Sequence, residues 1–272
     1  MTVFLAQVGR TIDVGWTDLA LAAALVLIAI GISWWQRLGL AGSFAVGAVR
    51  ATVQLLAVGY VLVYVFAASQ WWMVLLVLGV MLVAATTTVA RRGAKKPADR
   101  RTLGRIGGTA LLVGAGLTLA YVTAVVLHVR PWYDPRYLVP LFGMIVGNAM
   151  NGAALAAERL ASEIESRRGE IEAWLALGAT PARAAAEPTR RALVAALIPS
   201  VNGLMVVGVV QLPGMMTGQI LAGQSPLLAV RYQIVVAFML AGASAITAAI
   251  VVLLYRRTFF TAAAQLAFPA SR

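Results

Sequence analysis

The 272 residues are 61% hydrophobic and only 12% charged, with a mean hydropathy of +0.86, which excludes an ordinary water-soluble domain, about half apolar and a quarter charged. There are no cysteines, so disulfides and thiolate metal sites are excluded too. The net charge of +12 does not indicate nucleic acid, because the basic residues sit in clusters between apolar runs instead of forming one stripe with interleaved aromatics.

The N-terminal MTVFLAQVGRTIDVG lacks the basic start and cleavage site of a secretory signal, so the first span is expected to stay in the mature protein. Apolar runs long enough to cross a bilayer core follow at 16–35, 51–69, 71–90, 106–128, 137–157, 192–212 and 230–254. Trp16, Trp34, Trp35, Trp71, Trp72 and Trp132 stand near their ends, where amphipathic rings favour the headgroup layer. The expected fold is therefore all-α, a polytopic transmembrane bundle of about seven spans forming one domain over 1–272. Arginine and lysine set its orientation: seven lie in 91–105, six in 159–191 and three after Tyr255, while the alternate connections hold few. By the positive-inside rule the N-terminus is outside and the C-terminus cytoplasmic. The connector 36–50, with Arg37 and Arg50, then also falls inside.

Several chemistries lack their residues. The two lysines, Lys95 and Lys96, sit together in a basic loop without the Gly-Lys-Ser/Thr of a phosphate-binding loop, so ATP must be handled by another chain. The single histidine, His128, lies at the outer end of the fourth span and no carboxylate lies well inside any span, which leaves little for a protease or a proton relay.

In the fifth span Gly143, Gly147, Asn151 and Ala154 form a stripe of mostly small residues that suits close helix packing. Asn148 and Asn151 must face other helices or a polar cavity, serving as interhelical glue or as pathway lining. The polar stretch 158–191 reads as an amphipathic cytoplasmic helix with Leu160, Ile164, Ile171, Trp174 and Leu175 on one face. A turn at Gly178 follows, then a second helix begun by Thr180-Pro181. Pro199 should kink or start a segment, and beyond Asn202 the run Gln211-Leu212-Pro213-Gly214 should break the helix. The piece 215–225 is too short to span, being either an outer interfacial helix or a re-entrant segment.

Glu172-Ala173 with Gly178 six residues after the glutamate resembles the coupling motif of ABC permeases, with Trp174 replacing the second alanine. The runs GMIVGNAMN (143–151), LGATPARA (177–184), QLPGMMTGQILAGQSP (211–226) and RYQIVVAFML (231–240) resemble signatures of the FetB-like ABC permease family. Arg50 with Gln54 and GYVL (59–62) is similar to that family's second span. The resemblance implies a bacterial inner-membrane permease dimer, iron or other metal export, and a separate ATPase that holds ATP and magnesium, with no cofactor in this chain. Glu172, Ala173, Trp174, Gly178, Thr180 and Pro181 would meet the ATPase. Arg50, Gln54, Asn148, Asn151, Asn202, Gln211, Pro213, Gly214, Met215 and Met216 are the candidates for pathway or gate. Donor chemistry leaves metal ligands unassigned, since the intramembrane donors are amides, hydroxyls and thioethers. The alternative is an ATPase-independent channel or secondary carrier, with the 158–191 knob as a regulatory or lipid-binding element.

The charge asymmetry gives a direct test of topology. Cysteines introduced at Ala98 and Ala182 should react with an impermeant thiol reagent only from the cytoplasm, and one at Tyr133 only from outside. Labelling of position 98 from outside would reverse the orientation.

Overall fold

The computed structural model describes residues 15–94 and 99–267. The N-terminal stretch to residue 14, Lys95, Lys96 and Ala98 of the basic loop, and Arg272 of the tail lie outside the described residues. Among the described residues the chain is helical, with no strand beyond isolated bridges. Lipid explains this preference: hydrocarbon offers no partner for a free N–H or C=O, and a helix satisfies both within one segment.

Two compact units form. In the first, α1 (Trp16–Trp35) pairs with α2 (Ala41–Ala68), joined by a tight turn, and residues 219–224 belong to the same unit. Ser33, almost wholly buried, fixes that turn: its hydroxyl accepts from the Leu40 amide at 3.1 Å and its carbonyl from Leu38 at 2.9 Å. The second span was expected at 51–69, but α2 begins ten residues earlier, which puts Arg50 inside the helix and not in the connector. Residues 41–49 are all small or apolar, and one arginine does not end a helix when its long stem can carry the charge toward water.

The second unit is built on α5 (Pro135–Ser166), a helix of 32 residues and about 48 Å. Asp134 caps it, accepting from the Arg136 amide at 2.9 Å, with Pro135 at the first position, where its missing N–H costs nothing. Around it pack α3 (Trp71–Gly93), α4 (Arg100–Tyr121), α8 (Ala186–Val206) and α10 (Pro226–Arg257). A π-helical segment, Val122–Val126, prolongs α4. Ile145, Ala149, Ala153, Ala156, Leu160 and Ile164 recur at helical spacing along α5 and are fully buried. The contact layer is rich in alanine and glycine because helices in lipid hold together by close packing, not by expulsion of water.

The glycines show where that closeness is needed. A methyl group added at Gly93 would stand 2.8 Å from Leu103 Cδ2 and 3.0 Å from Ala157 Cβ, so the end of α3, the start of α4 and the late part of α5 meet at one end of the unit. Arg92 donates to Asn151 Oδ1 at 3.3 Å at the same end. Of the expected stripe on α5, Gly143 faces Met81 of α3 and the Ala154 carbonyl faces Gly93, while Gly147 meets nothing within 4 Å. Gly152, outside the stripe, lies against Ser244 of α10 and Ala196 of α8.

Six helices among the described residues are long and apolar enough to cross a membrane. In the place of the remaining expected span stands α8, whose first turns carry Glu187, Arg190 and Arg191, so that its apolar part begins only near Ala192. Pro199 lies inside α8 without starting a segment. The helix stops at Val206, before the expected break at Gln211–Gly214, because Gly208 takes a positive φ of 86°. A short helix, α9 (Gly214–Leu221), follows.

The α4–α10 contact depends on one missing side chain. A methyl group at Gly114 would overlap Thr247 Oγ1 and stand 3.1 Å from the Thr247 amide nitrogen, whereas one at Gly116 meets nothing within 4 Å. Gly114→Ala is expected to cost about 1–3 kcal/mol by overpacking and to lower the unfolding temperature of the solubilised protein. Gly116→Ala should leave it unchanged, and equal melting of both variants would contradict this packing.

Candidate functional site

The polar stretch 158–191 was expected to open with one amphipathic helix. Instead α5 continues unbroken to Ser166, the chain turns at Arg167 (φ −107°, ψ 21°), and a separate helix, α6 (Arg168–Ala176), begins. Arg167 holds the turn from both sides, its guanidinium 3.5 Å from Glu163 and 3.1 Å from Glu170. A third pair, Arg168 Nε to Glu172 Oε1 at 2.7 Å, runs along the outside of α6. All three pairs are at least partly exposed and steer geometry more than they add stability.

At its end α6 closes with two reversed bonds: the Ala179 amide donates to the Trp174 carbonyl and the Gly178 amide to Leu175, both at 3.0 Å. This arrangement needs a left-handed residue just after the helix, and Gly178 supplies it at φ +85°. Thr180 then caps α7 (Pro181–Ala184), its hydroxyl accepting from the Arg183 amide at 3.4 Å. Ile171 is buried, but Trp174 is 43% and Leu177 82% exposed. The knob therefore carries an apolar tip on a charged stem. At the head of α8, Glu187 accepts hydrogen bonds from Arg190 and Arg191 at 2.8–2.9 Å. These hold its carboxyl down to about 2, so it stays ionised throughout the physiological range.

A second feature lies farther along α5. Asn148, Ser200, Gly203, Leu204, Gln211 and Gln233 are among the residues lining a cavity of about 260 Å³ between α5, the end of α8 and α10. Asn148 donates through Nδ2 to the Met144 carbonyl at 3.2 Å. Gln233 is only 8% exposed and its Oε1 is buried without a hydrogen-bond partner. An unpaired buried amide oxygen costs roughly 1–3 kcal/mol, so a group held in that position needs a reason.

The end of α8, where Leu204 joins the lining, departs from the helical pattern. The Gly208 amide donates to Gln211 (2.9 Å) and the Val209 amide to Val206 (3.3 Å), instead of to the carbonyls one turn back at Leu204 and Met205. Those carbonyls are released at the C-terminal, electronegative end of a helix. The residues lining the cavity include no charged side chain. Among the described residues no three histidine, aspartate or glutamate side chains gather into a group that could hold a metal.

Three of the ten expected pathway residues, Asn148, Gln211 and Pro213, line this cavity. Asn151 does not; it holds Arg92 where α3 ends. Asn202 is exposed on α8 outside the lining, and Gly214, Met215 and Met216 lie on α9. Arg50 and Gln54 are exposed on α2, in the other unit. Gln233 was missed as a site residue. Its signal was the one amide in the span, two residues after Arg231, which the same cost argument that selected Asn148 would have found.

The family model of the uncharacterised protein family UPF0014 matches residues 16–260. A UPF0014 membrane protein of Synechocystis is 43% identical over 251 residues, covering 91% of this chain and 95% of that protein. The probable iron export permease protein FetB of Escherichia coli is 38% identical over 249 residues, 92% of this chain and 93% of its own. The protein ALUMINUM SENSITIVE 3 of Arabidopsis thaliana is 35% identical over 247 residues, 91% and 88% respectively. No solved structure matches.

Proposed function

Because the chain belongs to the UPF0014 family of multi-pass membrane proteins, we propose that it is the permease subunit of an ABC transporter in the bacterial inner membrane, exporting iron or another metal. A separate cytoplasmic ATPase would bind ATP and magnesium, and two copies of this chain would form the pathway. The likeness to an iron export permease over 92% of the chain supports the cargo class. The observation that carries the coupling role is the path of α5. One unbroken helix runs from Asn148, in the lining of the cavity, to Ser166, where Arg167 turns the chain into the knob. That distance is about 27 Å of rigid rod. A push on the knob would reach the cavity through a buried helix without passing through a loop.

The tip of the knob suits a protein partner. Interface energy concentrates in a few aromatic or arginine anchors, and Trp174 and Leu177 present apolar surface at the far end of the charged stem. Glu172 and Ala173 lie on the exposed part of α6, and Gly178 with Thr180-Pro181 fixes the turn beneath them.

Trp174→Ala should leave expression and membrane insertion intact and weaken ATPase association by about thirtyfold, the loss of one anchor worth about 2 kcal/mol. Gly178→Val, which forces a β-branched residue into the left-handed region, should abolish stimulated ATP hydrolysis. Co-purification and hydrolysis assays decide the point, and normal ATPase binding and transport in both variants would remove the coupling role. Cells lacking the chain should retain more iron under iron loading; unchanged content beside an intact complex would remove iron as the cargo.

A further inference from the structure

We propose that the seam between α3 and α4 binds an anionic phospholipid, with the phosphate held by Arg91, Arg101 and Arg105 and an acyl chain laid along the apolar strip beneath them. The site lies wholly in the second unit and does not depend on the transport reading.

The register of the seam follows from its glycines. A methyl group added at Gly104 would stand 3.5 Å from Ala90 Cβ, and one at Gly108 would stand 3.2 Å from Thr86 Cγ2, so the two helices run antiparallel in close contact. Each residue turns an α-helix by about 100°. Arg91 therefore lies about a quarter turn past the contact residue Ala90, and Arg105 about a quarter turn past Gly104, with Arg101 one turn before it. In antiparallel helices these positions fall on the same side of the seam. Exposure agrees: Arg91, Arg101 and Arg105 are all exposed, while Val89 and Leu103, which flank the contact residues on the other side, are fully buried. By the same register Arg91 comes level with position 103, between the two arginines of α4.

Other arginines already have partners. Arg92, on the far side of α3, donates to Asn151, and Arg167, Arg168, Arg190 and Arg191 of the knob each stand against a glutamate. Among the described residues Arg91, Arg101 and Arg105 enter no ion pair. Orienting a span requires basic residues somewhere in its connection, but not three unpaired ones gathered on one seam at the end of an apolar strip.

That strip identifies the anion as a lipid. Val80, Val83 and Thr87 of α3 and Thr109 and Leu112 of α4 continue the exposed side of the seam toward the middle of the spans. The two threonine hydroxyls donate to the Ala84 and Ile106 carbonyls at 2.9 Å, so they ask nothing of hydrocarbon. From Arg91 to Val80 the strip is about 16 Å long, roughly half of a bilayer core about 30 Å thick and so the depth of one leaflet. Guanidinium groups match phosphate oxygens in pairs. A headgroup with net negative charge is drawn to such a cluster, whereas the cation of a zwitterionic headgroup opposes the attraction. Free phosphate would gain nothing from the strip.

The test titrates the full chain, solubilised in detergent, with phosphatidylglycerol and with phosphatidylcholine of the same acyl chains, and counts bound lipid by native mass spectrometry. Phosphatidylglycerol should bind at the lower concentration. Arg91→Gln and Arg105→Gln should each weaken its binding about fivefold, the worth of one basic residue at an anionic surface. Arg91→Lys, which keeps the charge and loses the paired hydrogen bonds, should weaken it less. Arg190→Gln, an equal loss of charge on the knob, should leave it unchanged. Equal binding of the two lipids, or full phosphatidylglycerol affinity in an Arg91→Gln/Arg105→Gln double variant that elutes as a folded protein, would overturn the site. Displacement of the lipid by inorganic phosphate at equal potency would overturn it in favour of a free-anion site. Loss of a dimer mass in the double variant with lipid binding unchanged would overturn it in favour of an interface between copies. Lipid binding and ATPase association are separate readouts, so either can fail while the other stands.

Discussion

Hydrocarbon gives a polypeptide no hydrogen-bond partners, and nearly every feature of this chain follows from how it meets that condition. Where side chains allow it, the backbone satisfies itself in long helices, and α5 does so for 32 residues. Since lipid is as apolar as leucine, apolar burial cannot draw such helices together, and close backbone approach must. The alanines of α5, together with Gly93, Gly114 and Gly152 at its own and neighbouring contacts, provide that approach. The axial helix is thus held along most of its length.

The same condition makes exceptions informative. At the end of α8 the chain leaves the helical pattern and releases two carbonyls, and close by Gln233 buries an oxygen with no partner. Each such group is costly in an apolar surrounding, and Leu204 and Gln233 both belong to the lining of one cavity. Irregular backbone at membrane depth is tolerated where it is buried in protein or lines a cavity. The position of the cavity on α5, whose other end becomes the knob, joins the polar space to the surface proposed to take the partner.

The knob obeys a different balance. Outside lipid its arginines and glutamates pair along α6 and α8, where solvent screening leaves each pair worth little. Their effect is on shape: Arg167 braces the turn that aims α6 away from α5. The exposed Trp174 and Leu177 are then displayed instead of being folded back onto Ile164 and Ile171, which are buried.

The sequence by itself determined the solvent, the helices and the turn chemistry. Runs of about twenty apolar residues predict spanning helices, and six of the seven coincide with helices long and apolar enough to cross; Gly178 with Thr180-Pro181 marked a helix end and a helix start, because φ preference and capping are properties of local sequence. It also singled out Asn148, since an amide inside an apolar span is costly unless it finds a partner or a polar space. Sequence could not say that Asn148 would face a cavity while Asn151, three residues on, would take Arg92, because both choices satisfy the same local cost. Nor did it reveal that α2 begins before Arg50, that α5 runs on to Ser166, or that α8 stops at Val206. Those boundaries depend on where long side chains carry their charges and on which carbonyls find donors across a turn. Only the tertiary structure decided them, because it alone fixes which polar groups meet one another and which are left facing an open space.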